Sequence, residues 1–251
     1  MSGHSKWSKI KHQKGVDDVK RGNLFTKLTR EIIMSAKEGG GSADTNFRLR
    51  LAVQKARDSN MPLDNIDRAI KKGTGDLAGG SLIEMTLEGY GPSGMAVMVS
   101  ALSDNRNRTV QEVRSTFTRH GGSMGESGCV SWIFESRGVI NINAENVDAD
   151  ELALIAIDAG AEDVQVESGI VEVYTKPDTL EKIRATLEQK KVIIESSELQ
   201  MVPKTLVKLD ERAATQALKL LDRLEELDDV QNVYSNADIA DSILANIQAA
   251  S

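Results

Sequence analysis

Apolar residues in the first third of the chain recur at helical spacing, and a change of period near residue 82 divides the sequence. Over residues 16–38, a step of about 100° per residue puts Leu24, Phe25, Leu28, Ile32 and Ala36 on one arc about 120° wide. Lys20, Lys27, Arg30 and Lys37 fall on a separate arc facing away, free to bind. Arg21 lands among the apolar positions, at a buried edge with its head reaching water. Gly39-Gly40-Gly41 ends this helix. A second helix is predicted over 46–59, with Leu49, Val53 and Ala56 inward; a third begins near Pro62, runs through Leu63, Ile66 and Ile70, and stops at Gly73. Three short helices with thin apolar stripes make a small bundle, and the Gly-rich stretch 73–81 reads as a linker.

Beyond it, strands are expected at 82–89 and 95–102, joined by the tight loop GYGPSG. A helix over 105–120 opens on DNRNRT, and glycines at 121–128 approach a strand at 129–134. From 138 to 202 the order is strand, helix, strand, strand, helix, strand: the βαββαβ of a ferredoxin-like unit. The segment before it reads ββαβ and the segment after it αβ, so the two join as one α+β domain split by the other. The expected fold class is therefore α+β: an N-terminal helical bundle followed by two ferredoxin-like α+β domains, the third inserted within the second. The boundaries fall at 1–80, at 81–136 with 204–238, and at 137–203; residues 239–251 form a C-terminal tail with a weak helix.

Charge changes this picture. The net charge of −7 hides a segregation: residues 1–80 carry 16 Lys and Arg against 9 Asp and Glu, leaving 15 against 29 in the remainder. A basic head on an acidic body points to a localised polyanion contact, because the field of the whole protein repels nucleic acid. No apolar run approaches a membrane span, and the N-terminus lacks the apolar core of a signal peptide. The single cysteine, Cys129, excludes an internal disulfide and suits a reducing cytosol, so a cytoplasmic protein is expected. Three scattered histidines and one cysteine do not make a usual zinc site.

The candidate chemistry lies at the N-terminus. From His4 to Lys14 the chain holds Lys6, Lys9, Lys11 and Lys14, with Trp7 and His12 between them and no acidic residue. Lysines two or three residues apart neutralise phosphates and release counterions, with little base readout. Trp7 either stacks on an unpaired base or anchors the arm to the bundle. Arg106 and Arg108 offer a second basic pair at a helix start; the alternative there is an Asp104 or Asn105 N-cap with arginines facing solvent. GYGPSG lacks the lysine of a phosphate-binding loop, and no nucleophile–base–acid set stands out. His120 reads as a helix C-cap, and Glu225-Glu226 with Asp228-Asp229 as a solvated helix end. The expectation is a non-enzyme without cofactor, metal or small-molecule substrate. GYGPSG and DNRNRT are further expected to lie together as a secondary contact face.

The motifs GHSKW, KRGxxFTKLxREI, NMPxDNIxRAIKKG, EGYGPSG, DNRNRT, HGGxxGExGxVSWxF and LDDVQNVYSNADI, in that order and across nearly the whole chain, resemble the YebC/PmpR family. These proteins are the bacterial relatives of the mitochondrial translational activator of cytochrome oxidase. The resemblance implies a helical first domain and two α+β domains with the third inserted in the second. Two departures are small: TNFRLR replaces a usual Asn-Pro ahead of Arg-Leu-Arg, loosening the start of that helix, and Cys129 stands where Ser or Ala is usual. The family label implies a DNA-binding transcriptional regulator; the mitochondrial relatives imply a ribosome-binding translation factor. No helix-turn-helix signature or obvious recognition helix is present, and lysine arms suit structured RNA at least as well as DNA. Physics favours rRNA and the ribosome; the label favours DNA.

Overall fold

The computed structural model describes residues 18–78, 81–143, 148–167 and 169–249. Its fold is mixed α+β, with eight α-helices and antiparallel sheets among the described residues. It divides into two compact units, one formed by Phe134–Lys204 and the other by the chain on either side of it.

The larger unit begins with three helices, α1 (Asp18–Gly39), α2 (Phe47–Asp58) and α3 (Leu63–Thr74). Leu28, Ile32 and Ala36 of α1 pack on Leu49, Val53 and Ala56 of α2 and on Ile66 and Ala69 of α3. Two expectations need correction here. Gly73 does not stop α3, which continues to Thr74. It is instead the point where α3 meets α1: a Cβ there would lie 2.5 Å from Ile33 O and 2.7 Å from the Ala36 Cβ. Nor is the start of α2 loose. Buried Asn46 accepts from Leu49 N at 3.0 Å and donates to Ser35 O at 2.7 Å and Gly40 O at 2.8 Å. One amide thus caps the start of α2 and satisfies carbonyls at the end of α1.

The same unit continues with β1 (Ile83–Tyr90), β2 (Ala96–Ser103), α4 (Arg106–Arg119), β3 (Ser123–Met124) and, from the far side of the other unit, β8 (Val207–Lys208), α5 (Glu211–Glu225), β9 (Val230–Ser235), β10 (Ala237–Asp238) and α6 (Asp241–Ala249). The sheet order is β3-β1-β2-β9. Alternation sends Met85, Leu87, Val97, Val99, Ala101 and Val233 to one face, where Val113 and Phe117 of α4 and Ala217, Leu220 and Leu224 of α5 cover them. The last helix is no loose tail: Ile239 and Leu244 are buried in this core.

The second unit has β4 (Phe134–Asn143), α7 (Ala149–Asp158), β5 (Asp163–Glu167), β6 (Ile170–Thr175), α8 (Leu180–Gln189) and β7 (Ile194–Pro203), in the sheet order β5-β6-β4-β7. This βαββαβ unit is ferredoxin-like. The split sheet is not, because its strand sequence ββαβ–αβ makes the first two strands a hairpin; that expectation is corrected. The strand expected at 129–134 is also absent: Ser131–Ile133 is a 3-10 turn, and β4 runs unbroken from Phe134 through the polar Ser136-Arg137-Gly138.

Candidate nucleic-acid interface

His4, Lys6, Trp7, Lys9, Lys11, His12 and Lys14 lie outside the described residues, as do the side chains of Lys20 and Arg21. What the structure describes is the helix that carries this arm. Gly22, Asn23 and Leu24 of α1 are exposed, and among the described side chains the first tied to the split domain is Lys27, whose Nζ donates to Glu225 O. At 1.5 Å per residue, α1 extends about 13 Å from Lys27 towards the arm.

The described cations of the α1 basic arc, Lys27, Arg30 and Lys37, are not free. Arg30 Nη1 donates to Asp228 O and lies 2.9 Å from Asp229 Oδ1, while Lys37 Nζ donates to Leu82 O at 3.2 Å. Lys27 and Arg30 therefore meet carbonyls at and beyond the C-terminal end of α5, where the helix dipole favours cations. Helix α1 thus presents Lys27, Arg30 and Lys37 to the split domain.

Asp229 is the centre of that contact. Its side chain is 3% exposed. Besides Arg30, its carboxylate accepts from Arg108 Nη2 at 2.7 Å, Thr109 Oγ1 at 2.6 Å and Ser103 Oγ at 2.8 Å. Burial works against the Asp229 charge, but these hydrogen bonds and the Arg30 charge outweigh it and hold the carboxyl below its ordinary pKa. The solvated-helix-end reading of Asp228-Asp229 is thus corrected for Asp229. Arg108 is exposed but not unpartnered: it bridges Asp229 and Asp104, the latter at 2.9 Å. Asn105 is the N-cap of α4, accepting from Arg108 N at 3.2 Å, and His120 is its C-cap. Arg106 is exposed with no hydrogen bond or ion pair among the described residues. Of the described candidates, Lys27, Arg30 and Arg108 are drawn together at the Asp228-Asp229 corner, while Arg106 stands apart.

A second ionic cluster ties the head down elsewhere. Arg48 of α2 reaches Glu31 at 3.0 Å, Glu38 at 2.7 Å and Glu84 of β1 at 2.9 Å. Burial opposes its charge, but the Glu84 hydrogen bond and the Glu31 charge more than compensate and raise its pKa.

Three motifs separated by up to two hundred residues, in α1, DNRNRT and LDDVQNVY, thus converge on one carboxylate. Residues 5–76 match the profile described as the TACO1/YebC protein N-terminal domain, and residues 82–237 that of the TACO1/YebC second and third domain. The chain belongs to the TACO1/YebC family. It is 63% identical over 238 residues to a "Probable transcriptional regulatory protein" of Dehalococcoides mccartyi, covering 95% of each chain. One of Geobacter sulfurreducens is 55% identical over 240 residues, covering 96% of this chain and 97% of that one. A crystal structure of a conserved hypothetical protein from Aquifex aeolicus superposes with a TM-score of 0.84 at 46% identity, over 93% of this chain and 99% of that one. The family's curated relatives are thus named as regulators. Among the described residues, no helix is long and apolar enough to cross a membrane, and no group of three or more His, Cys, Asp or Glu is placed to hold a metal ion.

The far end of the split sheet is organised by another carboxylate. GYGPSG turns between β1 and β2, whereas DNRNRT follows the opposite end of β2, about 23 Å away at 3.3 Å per residue. The expected joint face of these two loops does not form. Next to GYGPSG, buried Glu88 accepts backbone N–H groups from Gly128, Val130 and Ser131, each at 2.8 Å. Those amides are thereby unavailable to a strand ladder, which is why residues 129–133 are not a strand. Burial disfavours the Glu88 charge, yet the three amides prevail and keep its pKa below the ordinary value. A lowered folded-state pKa contributes stability above the ordinary value, about pH 4, and that stability is lost as pH falls through it. Glu88→Gln should cost about 1–3 kcal/mol at neutral pH by turning an NH₂ towards a backbone donor. It should also flatten the loss of urea stability below about pH 4; a profile parallel to that of the parent protein would refute the assignment.

Proposed function

We propose that the protein regulates gene expression by binding nucleic acid through the basic arm at His4–Lys14, with structured RNA, that of the ribosome in particular, as its target. The observation that supports this reading is the engagement of Lys27, Arg30 and Lys37 with the split domain. With those side chains docked, the described part of α1 from Gly22 onward has no free basic face to lay in a major groove as a recognition helix. Recognition then falls to lysines ahead of a projecting helix end, which neutralise phosphates without reading base edges. Contact of that kind suits folded RNA, whose deep major groove side chains do not read. The role is one of binding, with no catalysis, cofactor or small-molecule substrate in it.

The second reading is a DNA-binding transcriptional regulator, favoured by the names of the relatives. Crosslinking in cells followed by sequencing separates the two. Reads concentrated in rRNA support the proposal; reads concentrated at promoters reject it in favour of transcription.

A further inference from the structure

Helix α4 is a basic element within an acidic stretch of chain. Its 14 residues, Arg106–Arg119, carry four arginines and one acid, Glu112, whereas residues 81–251 hold 15 Lys and Arg against 29 Asp and Glu. Thr109, Val113 and Phe117 are buried, and Asn105 and His120 cap the two ends, so the helix is a fixed platform. At about 100° per residue, Asn107, Gln111, Arg114 and Thr118 share one arc about 60° wide, turned away from that buried stripe. All four are exposed, and the arc runs about 17 Å along the helix at 1.5 Å per residue. Arg106 and Arg119, also exposed, stand at the two ends.

Among the described residues, the Asn107 and Gln111 amides and the Arg106, Arg114 and Arg119 guanidinium groups make no hydrogen bond or ion pair. Glu112 lies one turn after Arg108, which Asp104 and Asp229 already hold. No Asp or Glu stands three or four residues from Arg106, Arg114 or Arg119, so the sequence supplies none of them with a helical ion pair. Unpaired cations of one sign, set beside two amides on a rigid face, form a local attraction for a polyanion.

We infer that the outer face of α4 is a second nucleic-acid contact, and that it seats on the shallow minor groove of an RNA helix. The Asn107 and Gln111 amides both donate and accept, which suits a groove lined with 2′-hydroxyls and base edges. Arg106, Arg114 and Arg119 take the phosphates that border it, to which the guanidinium fork is matched. The inference rests on the nucleic-acid reading above, and it adds to the arm a surface that tells RNA from DNA by the 2′-hydroxyl.

The full chain is titrated with a labelled RNA duplex of about sixteen base pairs, and separately with the DNA duplex of the same sequence, at several salt concentrations. Arg114→Gln combined with Arg119→Gln should weaken RNA binding about sixtyfold at about 0.1 M salt. The slope of log affinity against log salt should become shallower by about 1.8, since each lost phosphate contact removes about 0.9. Gln111→Ala should weaken binding to the RNA duplex about fivefold and leave binding to the DNA duplex unchanged. Neither variant should move the thermal melt, because the altered side chains are exposed. Unaltered affinity and slope in the double-arginine variant, with the parent chain binding RNA, overturns the α4 contact alone and leaves the arm in place. A loss on Gln111→Ala that is equal for the two duplexes overturns the minor-groove assignment. A parent chain that binds neither duplex overturns the arm and the α4 contact together.

Discussion

Asp229→Ala is expected to lower the stability of the larger unit by about 3 kcal/mol and to loosen the helical head from the split sheet. The carboxylate is buried, and its removal leaves Arg30, Arg108, Ser103 and Thr109 without the anion they share, with Asp104 remaining beside Arg108 alone. Breaking a buried pair by deleting one partner typically costs about 3–5 kcal/mol; the lower end applies because Arg30 and Arg108 are 21% and 43% exposed and recover part of their hydration. Urea unfolding measures the loss, and limited proteolysis should show earlier cleavage in the linker between α3 and β1 than in the parent protein. An unchanged denaturation midpoint would remove Asp229 from the centre of the head contact. Asp229→Asn is the sharper variant, since it keeps the volume and removes the charge that the two arginines require.

The larger functional effect is expected at the arm. Changing Lys6, Lys9, Lys11 and Lys14 to glutamate should weaken nucleic-acid binding about a thousandfold at 0.1 M salt, because each phosphate contact scales affinity with salt to a power of about 0.9. The slope of log affinity against log salt should become shallower by about 3–4 at the same time. The thermal melt should not move, as the reversal leaves the apolar stripe of Leu28, Ile32 and Ala36 that packs the helical core untouched. If the variant binds with unaltered affinity and salt slope, the arm is not the contact. Setting the two variants side by side separates presentation from contact: Asp229→Ala acts through stability and the arm reversal through charge.

Much of the fold was legible because period and punctuation act locally. The α1 stripe of Leu28, Ile32 and Ala36 and the βαββαβ order of the inserted unit follow from spacing alone. Gly73 misled because a glycine late in a helical pattern reads equally as a stop or as a notch for a neighbouring helix, and only Ile33 O and the Ala36 Cβ decide between them. Residues 129–134 have strand composition, but the donors of Gly128, Val130 and Ser131 are claimed by a glutamate some forty residues upstream. Arg30 and Lys27 looked free for a related reason. A helical wheel separates polar from apolar faces, but it does not tell a solvated cation from one paired with a carboxylate two hundred residues away. The usable signal was the Asp228-Asp229 pair set directly before an apolar strand, where a solvated helix end has no need of a buried position.

The register of the smaller unit bears on how the larger one assembles. Phe134 and Pro203 are paired across β4 and β7, so a 70-residue excursion of the chain leaves and returns on neighbouring strands. Neighbouring strands lie about 4.8 Å apart. Closing a flexible loop of that length costs about 3.8 kcal/mol beyond a constant. Once the ferredoxin-like sheet has formed, that cost is already met, and residues 133 and 204 behave as though joined by a short linker. The split sheet can then add β9 to β2 almost as if the sequence were continuous. The pairing of Phe134 with Pro203 thus turns the inserted unit into a short bridge within the strand order of its host.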